Sequence, residues 1–174
     1  LLNGEQLCLR CNLLITHEYI PELKAAGMYS GYGNVVLQIG AVKIFADGAF
    51  GRRTALLSQP YSDDSENVGE AMYSQEQMTE IIKRARELDM PVAVHAIGDQ
   101  ALENVLDVLD QFPVVSFRDR LIHTQVLRPE LLTRLAQGNR IVDIQPRFLA
   151  SDFPWAIERR GKERSRLSYA WKSL

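Results

Sequence analysis

The sequence predicts an α/β fold in which helices cover a parallel sheet, and three observations carry that expectation. Short apolar segments of strand type alternate with segments of helical periodicity along the chain. A helix or a long loop follows each of the five strand-like segments, as parallel pairing requires, because the chain must cross back over the sheet. The clearest helices also carry start signals. Ser74 and Gln77 form a capping box, and Pro129 stands where the first turn of a helix tolerates it.

The elements follow in order. "QLCLRCNLLI", residues 6 to 15, reads as the first strand. Its cysteines, Cys8 and Cys11, have CxxC spacing, but on a strand positions i and i+3 face opposite sides. No second ligand pair at zinc-site spacing follows, so two buried thiols are expected. "HEYIPELKAAGM" (17–28) holds a helical stretch with Pro21 confined to its first turn. "SGYGN" (30–34) is a turn, too short and lysine-free to cradle a phosphate. "VVLQIGAVKIFADG" (35–48) contains the second strand, centred on Ala41–Ala46. The segment from Ala49 to Tyr73, rich in Gly, Ser, Asp and Arg, reads as a long loop of the kind that is usually functional or disordered.

Ser74 then opens a helix with Met78, Ile81, Ile82, Ala85 and Leu88 on one stripe. "PVAVHAI" (91–97) is the third strand. The next helix runs from about Asp99, its expected cap, to Gln111, with Leu102, Val105, Leu106 and Leu109 facing inward. "RLIHTQ" (120–125) is the fourth strand, and the helix after Pro129 carries Leu131, Leu132 and Leu135. "RIVDIQPRF" (140–148) reads as the fifth strand and "SRLSYAWKSL" as a closing helix. No linker, repeat or change of composition divides the chain, so a single domain is expected.

A net charge of −2 gives no electrostatic footprint for nucleic acid or anionic lipid. No apolar run approaches the roughly 20 residues that span a bilayer. No signal-like segment opens the chain, which makes a cytoplasmic protein the expectation; without an initiating Met, the true N-terminus stays open.

Chemistry in α/β folds collects at the C-terminal ends of the strands. Polar residues there are Lys43 and Asp47, His95 and Asp99, His123 and Gln125, then Gln145, Arg147 and Asp152. A single histidine in such a place is usually structural. Two of the chain's three histidines at matching strand ends, beside a lysine and an aspartate, favour a metal site. Lys43 is the odd member, because a protonated amine repels a cation. It is a salt-bridged or snorkelling lysine, a neutral amine forming a Schiff base with a carbonyl substrate, or a carbamate that bridges two ions. Asp47, Arg52, Gln145 and Asp152 are candidates for the substrate pocket. Arg52 and Arg53 read equally well as solvated charges, and Asp152 as a turn cap before Pro154.

"VKIFADGAFGRRTALL", "HAIGDQA", "RLIHTQ" and "IQPRFLASDFP", in this order, resemble the amidohydrolase superfamily. More narrowly they resemble amidohydrolase family 3, the group that includes N-substituted formamide deformylases. The resemblance implies a (β/α)8 TIM barrel holding one or two divalent ions, zinc or another metal. It implies Lys43 as a carboxylated bridging ligand and His95 and His123 as ligands from barrel strands five and six. The family's HxH pair on its first strand and its aspartate on the eighth have no counterpart, since His17 has no histidine at i+2. Residues 1–174 therefore correspond to the central part of a hydrolase barrel domain, roughly strands three to seven. Ile122 stands where an acid is expected and Phe148 where a histidine is common.

The implied reaction is hydrolysis of non-peptide, amide-like C–N bonds in a small molecule by a metal-bound hydroxide. The rivals are a Schiff-base barrel built on Lys43 and a non-catalytic truncated domain. A partial barrel should leave Ile44, Val92, Val94 and Ile144 without packing partners and two sheet edges open. The 174-residue chain alone is accordingly expected to be inactive, and to be unstable or associated with another chain, a homo-oligomer included.

Overall fold

The computed structural model describes residues 9–113 and 116–173. Five strands, β1 (Cys11–Thr16), β2 (Leu37–Phe45), β3 (Val92–Ala96), β4 (Arg120–His123) and β5 (Ile141–Asp143), form one sheet. Every neighbouring pair is parallel and the strand order is the chain order. Between the strands lie α1 (Ile20–Ala25), α2 (Gln75–Arg86), α3 (Asp99–Leu109) and α4 (Pro129–Gln137), and α5 (Pro146–Arg160) follows β5. This is a partial (β/α)8 barrel: successive β–α units advance in one direction, and among the described residues no strand closes the sheet on itself.

The α2 capping box forms as expected. Ser74 Oγ accepts from the Gln77 N–H, and Gln77 Oε1 accepts from the Ser74 N–H at 2.8 Å. Two otherwise unsatisfied donors are thereby met. The apolar stripes of α2 and α3 lock onto one face of the sheet, where Val42, Ile44, Val92, Val94 and Leu121 are fully buried. This corrects the expectation that Ile44, Val92 and Val94 would face absent partners, because strand alternation turns them toward the helices. Ile144 lies beyond β5 and is exposed. The other face of the sheet is the open one, where Leu14 and Phe45 are exposed large apolar side chains.

Several boundaries differ from the sequence reading. The first strand begins at Cys11, which is only half-buried; Cys8 lies outside the described residues. The second extends back to Leu37. The fifth stops at Asp143, and residues 146–148, read as strand, open α5 instead. The closing segment forms two short 3-10 turns, Arg164–Leu167 and Trp171–Ser173, rather than an α-helix. Asp99 is not the cap of α3: Gly98 is, and the Asp99 carboxylate accepts from the Ser58 N–H and Oγ–H.

The segment 49–73 contains no α-helix and is nonetheless tied down. Tyr61 Oη donates to Ala55 O at 2.7 Å, and Asp63 holds both Arg53 and Arg159. Phe50, Leu57 and Tyr61 pack with Ile97, Val126 and Ala156 in a second, smaller apolar cluster at the C-terminal end of the sheet. Among the described residues no helix is long and apolar enough to cross a membrane.

Candidate metal centre

The site begins with strand parity. Lys43 and Phe45 lie two residues apart on β2, so they share a face, and Phe45 pairs in register with His95 of β3. All three therefore stand on the open face, between the buried positions Val42, Ile44, Val94 and Ala96. The Lys43 amine lies 4.0 Å from the centroid of the Phe45 ring, which is 5.4 Å from the His95 ring.

His123 has the opposite parity. It pairs with Ala96, a residue of the helix-side core, so a regular strand would turn its ring toward the helices. The backbone prevents this. His123 and Thr124 have φ of 78° and 47°, two consecutive non-glycine residues in the left-handed region. The strand ends there, and the imidazole swings across to lie 4.6 Å from the His95 ring, centroid to centroid, at an interplanar angle of 75°. Phe148, in the first turn of α5, stacks on its other side at 5.6 Å and 8°. The Trp171 indole N–H reaches the carbonyl oxygens of His123 and Thr124, at 3.1 and 3.2 Å, and holds the turn from below.

Protonation follows from these surroundings. His95 Nε2 donates to Gly48 O at 2.9 Å, which puts the ring hydrogen on Nε2 and leaves the Nδ1 lone pair free. Burial lowers the His95 pKa to about 4, with the nearby His123 and Lys43 adding to the effect. Burial also pushes His123 down, and the nearby Lys43 charge adds to the effect. Both rings are neutral near pH 7. Burial lowers the Lys43 amine to about 8; it donates to Ile44 O at 2.9 Å and has no acidic partner among the described residues. Lys43 is thus neither salt-bridged nor fully extended into water.

Asp47 lies beneath this row. Its carboxylate accepts from the backbone N–H groups of Leu56, Ile97 and Gly98, at 3.0, 3.0 and 2.8 Å. Oδ1 is also 3.4 Å from His95 Nε2. Burial raises its pKa to about 6 against those three hydrogen bonds. At 1% exposure it joins the end of β2, the exit of β3 and the long loop. Gly98 is required there because a Cβ would fall 1.9 Å from Leu56 O.

The other pocket candidates scatter. Arg52 is exposed. Gln145 sits at the β5–α5 junction; its Nε2 donates to Asp143 O while Oε1 is buried without a partner. Asp152 lies inside α5 and accepts from Gln125 Nε2 and Tyr169 Oη, at 3.0 and 2.7 Å, a polar knot behind His123. Tyr73, Phe45, Tyr169 and Trp171 escaped the sequence reading. Phe45 could have been found from its i+2 spacing to Lys43. Tyr169 and Trp171 were hidden by reading their segment as a helix.

Among the described residues, no three His, Cys, Asp or Glu side chains come together to hold a metal ion. Two neutral imidazoles do converge, and His123 Nδ1 is buried with no hydrogen-bond partner. An unsatisfied buried nitrogen beside a second free lone pair fits a cation, as part of a larger ligand set.

The amidohydrolase family model matches residues 2–174. The chain belongs to the amidohydrolase family. It is 46% identical over 172 residues to the YtcJ protein of Bacillus subtilis (strain 168), named as an amidohydrolase, a match that covers 98% of this chain and 32% of that one. The N-substituted formamide deformylase of Arthrobacter pascens is 28% identical over 109 residues, 63% of this chain and 19% of the deformylase. The crystal structure of an uncharacterized metal-dependent hydrolase from Pyrococcus furiosus superposes with a TM-score of 0.89 at 33% identity, covering 99% of this chain and 36% of that one. The chain spans about a third of the length of the amidohydrolase YtcJ and of this hydrolase.

Proposed function

We propose that residues 1–174 form the central part of a barrel that hydrolyses non-peptide C–N bonds of small amide-like molecules with the help of zinc or another divalent ion. One observation carries the reading: His95 and His123 meet at 4.6 Å although strand parity would separate them. A fold does not hold two left-handed residues, at about 1–3 kcal/mol each, without something that over-determines them. The name of the Arthrobacter deformylase supports the C–N bond as target.

The residues have separate tasks. Gly48 O orients His95 and fixes its tautomer; Trp171 and Phe148 orient His123. Two imidazoles that stay neutral can each offer a lone pair near pH 7. A bound divalent ion would supply Lewis acidity and lower the pKa of water toward about 7. Lys43, with its amine brought to about 8, has the neutral nucleophile that carboxylation by CO2 requires, and the resulting carbamate would be an anionic third ligand. Schiff-base formation needs the same neutral amine, so the lowered pKa serves that rival equally.

Two imidazoles and one amine do not complete a catalytic set, and we infer that the 174-residue chain alone lacks hydrolase activity. The test is cobalt titration of the whole gene product, followed by visible absorption. Tight binding that is lost in both His95→Ala and His123→Ala supports the centre; unchanged binding in either variant refutes it. Borohydride trapping of a carbonyl compound on Lys43 would favour the Schiff-base route instead.

A further inference from the structure

The third histidine, His17, stands next to this site and takes no part in it. It directly follows Thr16, the residue of β1 that pairs with Lys43, so it too sits at a C-terminal strand end. His17 Nε2 is 2.6 Å from Tyr73 Oη and 3.2 Å from Glu18 Oε1, and its ring meets the Tyr73 ring edge-on at 5.2 Å. Tyr73 closes a long loop but is well anchored. Met72 N–H donates to Ala46 O at 2.9 Å, Ala71 bridges to Asp47, and the α2 capping box begins at the next residue. His17, Glu18, Tyr19, Lys43, Phe45 and Tyr73 line an open cavity of about 300 Å³.

A carboxylate oxygen 3.2 Å from Nε2 electrostatically favours the tautomer with the ring hydrogen on Nε2, which is then donated to Tyr73 Oη. Tyr73 Oη then accepts from the ring and its own hydrogen is free to donate. Burial and the Glu18 charge raise the Tyr73 pKa, which keeps that hydrogen in place. Phe45 and Tyr19 offer exposed ring surface beside it, at 48% and 57% exposure. Both the donor and the apolar wall lie within one cavity that also contains the Lys43 side chain.

We propose that this cavity is the substrate-recognition subsite, binding a flat apolar substituent of the amide against Phe45 and Tyr19 while Tyr73, held by His17, donates a hydrogen bond to an acceptor oxygen on the same molecule. The inference rests on the hydrolase reading for its choice of ligand, and its test is made without turnover. The whole gene product, stripped of metal with a chelator, is titrated with N-methylbenzamide and with toluene, which lacks the acceptor, and binding is followed by NMR. Tyr73→Phe should weaken N-methylbenzamide about five- to tenfold, the worth of one neutral hydrogen bond, and leave toluene unchanged. His17→Ala should act in the same direction, and Phe45→Ala should weaken both ligands. Equal effects of Tyr73→Phe on both ligands, or none on either, would overturn the subsite. Cobalt binding measured on the same variants separates that outcome from failure of the metal centre, since Tyr73→Phe should leave it intact.

Discussion

Replacing Asp119 with alanine should destabilise the fold by about 3–5 kcal/mol without touching the chemistry. Asp119 is 6% exposed and does two jobs at the N-terminal end of the sheet. Its Oδ1 accepts from the Val92 N–H at 2.9 Å, where β3 begins, and its Oδ2 accepts from Arg86 NH2 at 2.8 Å. Arg86 also donates to Phe112 O and Met90 O, at 2.8 and 2.9 Å, and has no second acid in contact among the described residues. Alanine would leave the Val92 N–H buried without an acceptor and the guanidinium without its counter-charge. Removing one partner of a buried pair costs about 3–5 kcal/mol, because the survivor keeps its desolvation penalty. That is a large share of a typical 5–15 kcal/mol. Asparagine keeps an acceptor for Val92 and should cost less. Urea unfolding measures both, with the loss read from the midpoint at constant m. His95 lies three residues further along β3, about 10 Å away, so cobalt binding under native conditions should be unchanged. A loss below about 1 kcal/mol, or a cobalt affinity that falls with stability held constant, would show the argument to be mistaken.

Four further outcomes are expected. Gly98→Ala places a Cβ 1.9 Å from Leu56 O and should cost several kcal/mol, releasing the 49–73 segment to limited proteolysis. Trp171→Phe removes the donor shared by His123 O and Thr124 O; about tenfold weaker cobalt binding with less than about 1.5 kcal/mol lost in urea is the expected pattern. The pH dependence has a definite sign. His95 has a folded pKa of about 4 against an ordinary 6.5, so the unfolded chain takes up the proton first, and stability falls as pH drops from 6.5 toward 4. His95 contributes a loss of up to about 3 kcal/mol over that window, while Asp47, raised to about 6, binds its proton first in the folded chain and offsets part of it. The difference in urea midpoints between the protein and His95→Asn at several pH values isolates the His95 share. Finally, Asp152→Ala should loosen Gln125 and Tyr169 and lower the melting temperature by a few degrees, read by circular dichroism.

The strands and their order were legible because apolar runs, capping signals and crossover lengths all pointed the same way. The β5–α5 boundary was not. Ile144 and Phe148 continue a β-type run, and Pro154 inside α5 argues against a helix there. Leu149, Phe153 and Ile157 are also exposed, so α5 lacks the buried stripe that makes a helix readable. The order within 49–73 was invisible for another reason: it rests on Asp47 bonding to Ile97, Asp63 pairing with Arg159 and Tyr61 packing with Ile97 and Val126, all distant in sequence. For the site, the positions of Lys43, His95 and His123 could be read from strand ends, but their convergence could not. Register alone separates His123 from the other two, and no residue type there announces a left-handed backbone.

That crossing also accounts for the division of labour in the sheet. Along β2 and β3 the pleat sorts side chains automatically: Val42, Ile44, Val92 and Val94 seal the helix side, while Lys43, Phe45 and His95 are left on the open side. β3 does this without distortion, while β2 does it past a bulge: Gly40 is left unpaired between Ile39 and Ala41, which changes the parity so that Ile39, Val42 and Ile44 all face the helices. β4 reaches the same place with the wrong parity, and a one-residue slip to correct it would expose Leu121 and bury Ile122. Ending the strand with His123 and Thr124 in the left-handed region moves one imidazole and leaves Leu121 in the core. The local strain is offset from outside the strand, by the Trp171 indole on two carbonyls and the Phe148 ring against the imidazole. Changes at Phe148 or Trp171 should therefore reach the metal centre through the geometry of His123, even though neither residue carries a metal-binding atom of its own.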